Sequence, residues 1–154
     1  MNNIDIMNEI VNIFILIVED DKYMNEILYD LLNSDISKVD SSYTALDAIN
    51  KLSEDDKKYQ LVILDYNLGN MKGITGLDVY DIVKVKNPKV KSIMITGHAT
   101  REIKKQAIAE GINVFIEKPF SITELLNSVH DMIDNIIVEE LQERKKPNTQ
   151  LRKD

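Results

Sequence analysis

The chain has 154 residues, a net charge of −7, and is 44% hydrophobic and 29% charged. That suits one globular domain with a real core, and the acidic balance argues against nucleic-acid binding through a broad basic footprint. It has no cysteine, which excludes disulfides, thiolate zinc sites and cysteine nucleophiles. The two histidines, His98 and His130, are too few for a His-rich metal site and are read as structural or solvent-facing.

The first Lys or Arg is Lys22, so a basic signal-peptide n-region is not expected. The apolar run Ile13–Val18 is far too short to cross a membrane. A cytoplasmic chain without membrane insertion is expected.

Residues 1–12 form a leader in which Ile4, Met7 and Val11 share one face of a short helix or of a loosely docked segment. Ile13 to Val18 is apolar and β-forming throughout, the pattern of a strand buried on both faces. It ends on Glu19-Asp20-Asp21. Met24, Ile27, Leu28 and Leu31 then trace an amphipathic helix that Asn33-Ser34-Asp35 stops. A weak second strand is expected over Ile36 to Ser41. A second helical stripe follows through Ala45, Ala48, Ile49 and Leu52, then a charged loop from Ser53 to Tyr59.

Leu61-Val62-Ile63-Leu64 is a third apolar strand and runs directly into Asp65. Asn67 to Gly76 is a loop with glycines at 69, 73 and 76. A third helix covers Leu77 to Lys86 and must stop before Pro88. Val90 to Ile95 is the fourth strand and ends on Thr96-Gly97-His98. The fourth helix runs from Thr100 to Glu110, with Gly111 placed for a positive φ just past its end. Asn113 to Ile116 is the fifth strand, ending on Glu117-Lys118-Pro119. Ser121 and Glu124 have the spacing of a capping box that opens the last helix.

Five strands alternating with five helices imply an α/β fold: a parallel sheet with helices on both faces. Strand ends in such a sheet share one edge, where ligands bind. That edge gathers Glu19, Asp20, Asp65, Thr96 and Lys118. Three carboxylates there repel one another, and a hard divalent cation such as Mg²⁺, which takes oxygen ligands, resolves the conflict. Lys118 and the Thr96 hydroxyl can face an anion bound at the metal while Asp65 attacks, which makes a workable phosphoryl-transfer site. Taken one at a time, these residues also read as helix caps, turn formers or a surface lysine. Only their joint order singles them out.

That order resembles the receiver domain of two-component response regulators. The resemblance rests on Ile15-Leu16-Ile17-Val18-Glu19-Asp20-Asp21, Leu64-Asp65-Tyr66-Asn67-Leu68, Met94-Ile95-Thr96-Gly97-His98 and Phe115-Ile116-Glu117-Lys118-Pro119-Phe120. It implies a (βα)5 doubly wound, five-stranded sheet of flavodoxin-like order 2-1-3-4-5. Asp65 would take a phosphoryl group from a phosphohistidine on a sensor histidine kinase or histidine phosphotransfer protein. Asp20 would bind Mg²⁺ directly, Glu19 through water, and Asn67 through its backbone carbonyl. Thr96 and Lys118 would hold the phosphoryl oxygens, and Phe115 would be the switch aromatic that follows Thr96. The chain would not be an enzyme beyond its own phosphorylation and dephosphorylation, and it would signal to a downstream protein target.

Three features depart from the family pattern. Gly69 follows Leu68 where receivers usually carry proline. The loop after Asp65 is longer, and Gly76 fits the family's glycine better than Gly73. The acidic pair can be read as Asp20-Asp21, although Glu19-Asp20 is preferred because Val18 closes the strand.

The expected organisation is a leader at 1–12, a receiver domain at 13–134 and a C-terminal helix extension and tail at 135–154. The stripe Ile122, Leu125, Leu126, Val129, Ile133, Ile136, Ile137 and Leu141 outlasts a usual fifth helix and points to one reaching about Lys146. Its far end would be exposed unless it packs, either in a homodimer or against a partner, or on the leader. The residues after Asp134 are too few for a helix-turn-helix, and the tail from 139 is nearly neutral. The other readings are a receiver-fold scaffold or dimerisation module that needs no phosphorylation, and an aspartyl phosphatase. The phosphatase is disfavoured by Asn67, which stands where a second Asp would be wanted.

Overall fold

The computed structural model describes residues 12–34, 37–54, 59–69 and 73–147. The leader stripe of Ile4, Met7 and Val11, the expected start of the second strand at Ile36, and the tail beyond 147 lie outside the described residues. The elements run β1 (Ile13–Val18), α1 (Lys22–Leu32), β2 (Ser37–Ser42), α2 (Ala45–Glu54), β3 (Leu61–Asp65), α3 (Gly76–Lys86), β4 (Lys91–Thr96), α4 (Arg101–Glu110), β5 (Val114–Glu117) and α5 (Ile122–Lys145). The five strands are parallel in the order β2-β1-β3-β4-β5, which is the doubly wound flavodoxin-like arrangement. No described helix is long and apolar enough to cross a membrane.

Alternation along the strands builds two cores. Leu16 and Val18 of β1 face one side with Val62 and Leu64 of β3. There they meet Ala45, Ala48 and Leu52 of α2, Val79 and Val83 of α3, and Ala107 of α4. Ile13, Ile15 and Ile17 face the other side with Leu61 and Ile63, against Leu28 and Leu32 of α1 and Leu125, Val129 and Met132 of α5. All five residues of β3 are buried. A continuous apolar run is therefore required there, because each face of the strand serves a different core.

The helix starts use local chemistry. The Asp21 carboxylate accepts from the Met24 amide at 2.7 Å, Thr100 Oγ1 from Ile103 at 3.2 Å and Ser121 Oγ from Glu124 at 3.1 Å. Gly111 ends α4 at φ 106°. β5 begins one residue later than expected: Asn113 turns its carboxamide toward β4 and accepts the Ser92 amide at 2.9 Å. In α1 the buried positions are Asn25, Leu28 and Leu32, whereas Leu31 of the expected stripe is 47% exposed.

α5 extends 24 residues to Lys145. Its far end does not leave the stripe bare. Ile136 is 5% exposed, inside the same core as Leu125 and Val129, and Ile133 and Ile137 pack at the core's edge. Lys91, the first residue of β4, reaches Glu139 at 2.6 Å, and Lys89 reaches Glu143 at 2.8 Å. The second pair is solvent-exposed, so water and salt screen it and it adds little. Burial of a large aliphatic side chain is worth about 1.5–3 kcal/mol, so Ile136 is the stronger tether. Ile136→Ala is expected to cost about 2 kcal/mol in urea unfolding, while Glu143→Gln changes the midpoint little. An unaffected Ile136→Ala would show that the helix beyond Asp134 is not part of the core.

Candidate functional site

The carboxyl edge of the sheet brings the strand ends together. β1 delivers Glu19 and Asp20, β3 Asp65, β4 Thr96, and the turn after β5 Lys118. The register is set by Val18 opposite Leu64, Asp65 opposite Ile95 and Thr96 opposite Glu117. The Lys118 amide donates to the Thr96 carbonyl at 2.8 Å, which places the lysine beside Asp65. The peptide bond between Lys118 and Pro119 is cis.

Lys118 Nζ is 2.8 Å from Glu19 Oε1 and 2.9 Å from Asp65 Oδ2. Both carboxylates are about 95% buried. Asp65 Oδ1 accepts the Asn67 amide at 3.0 Å, so the residue after next is folded back over the acid. Carboxylate oxygens of Glu19, Asp20 and Asp65 all lie within 4.8 Å of one another. Asp21 stands apart from this group as the cap of α1, so the clustered acidic pair is Glu19-Asp20. Thr96 is fully buried, and its Oγ1 accepts the His98 amide at 3.2 Å. Phe115 is half-buried against the α2–α4 core, with Lys104 Nζ 6.0 Å from its ring centroid. His98 and His130 are exposed.

Two residues that sequence reasoning passed over or only partly explained shape the site. Asn25, buried in α1, donates from Nδ2 to the Glu19 and Ser42 carbonyls, both at 3.0 Å. It fixes the end of β1 to the end of β2. The only trace it leaves in the sequence is a polar residue on the inward side of an amphipathic helix. Gly76 closes the long loop: its amide donates to the Tyr66 carbonyl at 2.9 Å, and a Cβ there would lie 2.2 Å from the Asp65 carbonyl oxygen. No side chain fits such a gap, so the loop can return to Asp65 only at a glycine. A Cβ at Gly73 would meet nothing within 4 Å among the described residues.

The acid set fits a hard cation. Glu19 Oε2 is buried and makes no hydrogen bond among the described residues, and an orphaned carboxylate oxygen of this kind calls for a ligand. Burial pushes the Glu19 carboxyl up to about 8, helped by the neighbouring Asp65 carboxylate and opposed by Lys118. Lys118 is raised too: burial works against its charge, but the bonds to Glu19 and Asp65 outweigh it. A carboxyl that is about 4.5 when unfolded and about 8 when folded binds its proton more tightly in the folded state. Its effect on stability is therefore nil below pH 4.5 and grows unfavourable as pH rises toward 8. In EDTA, unfolding free energy is expected to fall between pH 5 and 7.5, and Glu19→Gln should flatten that slope. An equal slope in both proteins would place its origin elsewhere.

The comparisons with known proteins point to one family. The family model of the response regulator receiver domain matches residues 15–130. The nitrogen assimilation regulatory protein NtrX of Azorhizobium caulinodans is 31% identical over 140 residues, 88% of this chain and 30% of that protein. The transcriptional regulatory protein FlgR of Helicobacter pylori is 34% identical over 119 residues, 75% of this chain and 28% of that protein. The chain thus spans less than a third of the length of these curated relatives. Among solved structures, the signal receiver domain of a putative LuxO repressor protein from Vibrio parahaemolyticus superposes with a TM-score of 0.70 at 27% identity, covering 86% of this chain and 98% of that one. Sheet order, strand-end residues and family match converge, and the chain belongs to the receiver-domain family of two-component response regulators.

Proposed function

We propose that this receiver takes a phosphoryl group onto Asp65 from a phosphohistidine on a sensor kinase or phosphotransfer protein, and signals through a protein partner. The observation that carries this reading is the buried Asp65 carboxylate held 2.9 Å from Lys118 beside two further acids. One Asp65 oxygen forms the new bond to phosphorus as the phosphorus–nitrogen bond of the donor breaks, and the imidazole leaves with the electron pair. Lys118 then trades its contact with the carboxylate for one with a phosphoryl oxygen, and the buried Thr96 hydroxyl turns from the His98 amide toward the same group. Phe115, two positions before Glu117, which pairs with Thr96 in register, follows that hydroxyl as the switch residue.

Glu19, Asp20, Asp65 and the Asn67 carbonyl are the residues that would hold Mg²⁺, which supplies neutralisation of the phosphoryl charge. This reading places the chain in the cytoplasm and treats residues 13–134 as the signalling unit, with α5 continuing beyond it. Such a chain is not an enzyme toward other substrates.

With Mg²⁺ and acetyl phosphate, intact mass should rise by one phosphoryl group in the wild type and not in Asp65→Asn. Labelling of the variant at the wild-type level would remove Asp65 from the reading. If neither small donors nor a phosphorylated kinase label the wild type, the scaffold reading replaces this one. Lys118→Ala should keep Mg²⁺ binding and accept the phosphoryl group more slowly, yet fail to engage the partner. A normal partner response would leave Lys118 with a purely structural part.

A further inference from the structure

Two of the three clustered acids are tied down and the third is not. Lys118 holds Glu19 and Asp65, and Asn25 fixes the Glu19 backbone. The Asp20 side chain, by contrast, is exposed and has no hydrogen bond or ion pair among the described residues. Its position depends on what packs around it. One constraint comes from the start of the loop after β3, where Gly69 adopts φ +68° and a Cβ would stand 3.0 Å from Asp20 Oδ2. That is closer than a side-chain carbon ordinarily sits to an oxygen, so any residue with a side chain must push the carboxylate or move the loop. Proline, with φ held near −65°, cannot take this backbone conformation at all. The departure from the usual receiver sequence therefore falls on the residue that faces the loosest acid.

We propose that Gly69 is a positioning residue for Asp20. By presenting no side chain, it leaves the carboxylate where its oxygen stays within reach of those of Glu19 and Asp65, and so sets the affinity of the cluster for a divalent cation. The inference rests on the proposed Mg²⁺-dependent phosphoacceptor site and adds a determinant to it. The same loop supplies its own control. Gly73 also has a positive φ, +90°, but a Cβ there meets nothing within 4 Å among the described residues. Alanine at 73 brings the backbone strain of a left-handed residue without the contact, whereas alanine at 69 brings both.

The test is calorimetric titration of the full chain with Mg²⁺, beside thermal unfolding in EDTA. Gly69→Ala should weaken Mg²⁺ binding about ten-fold, the lower end of what disturbing a ligand's surroundings costs. Gly73→Ala should bind like the wild type, although both variants lose thermal stability. Asparagine tolerates the left-handed region better than most residues, so Gly69→Asn carries the test if Gly69→Ala does not fold, and it should weaken binding as well. Wild-type affinity in the position-69 variants would overturn the proposal, as would an equal loss in Gly73→Ala. A wild-type protein that binds no Mg²⁺ would remove the site and the proposal together. A wild type that binds, with position-69 variants that bind equally, would remove the proposal alone.

Discussion

One lysine ammonium stands between two buried carboxylates, and much of the carboxyl edge is arranged around that contact. Removing Glu19 and Asp65 from water costs several kcal/mol per ion unless charge and hydrogen bonds compensate. Lys118 compensates both at once, at 2.8 and 2.9 Å. Counted with Asp20, the cluster still carries an excess of negative charge. Burial and the neighbouring Asp65 raise the Glu19 carboxyl, which is the same excess expressed as proton affinity, and it is what a divalent cation would neutralise. Lys118 therefore has two competing claims on it: it stabilises the acids in their resting state and is the natural counter-charge for an incoming anion.

The fold makes that contact possible by bringing distant residues together. Glu19 and Lys118 are 99 positions apart in the chain. A parallel sheet brings them within bonding distance because β1 and β5 end on the same edge, with β3 and β4 between them. The two cores fix the register of the strands that form the edge. Each central strand packs on both faces, and shifting one strand by a single residue would exchange its two sets of apolar side chains. Asn25 and Gly76 act on the same edge at smaller scale. Asn25 stitches β1 to β2 behind Glu19, and Gly76 lets the loop return against the Asp65 backbone.

How much of this could be read beforehand depends on how local the cause is. The apolar runs of β1 and β3 and the caps at Thr100 and Ser121 are set by neighbouring residues, and the sequence pattern locates them to within a residue. The order of strand-end residues was legible because a parallel sheet leaves only one edge for them. What escaped was tertiary. Leu31 has the right spacing for the α1 stripe but lies outward, because the inward stripe runs through Asn25, Leu28 and Leu32, and Asn25 is held there by carbonyls at the ends of two strands. β5 starts late because Asn113 is engaged with Ser92 of β4. The end of α5 looked unpartnered because its contacts, Lys89 and Lys91, are some fifty residues upstream and carry no pattern that refers to the helix.

α5 also shows why periodicity and burial must be weighed separately. A stripe that outlasts the expected domain invites the inference of a second molecule, since a bare apolar face in water is costly. The structure answers with geometry instead. Twenty-four residues at 1.5 Å per residue span about 36 Å, enough to run from the turn after Lys118 to the opposite, amino edge of the sheet where β4 begins. Along that path Leu125, Val129, Met132 and Ile136 stay in one core, and among the described residues beyond it only Val138 of the larger apolar ones is prominently exposed, at 51%. One face of the helix is therefore spent on its own sheet almost to Glu139. An interaction that uses the outward face leaves this packing intact, whereas one that needs the stripe itself must first strip Ile136 from the core.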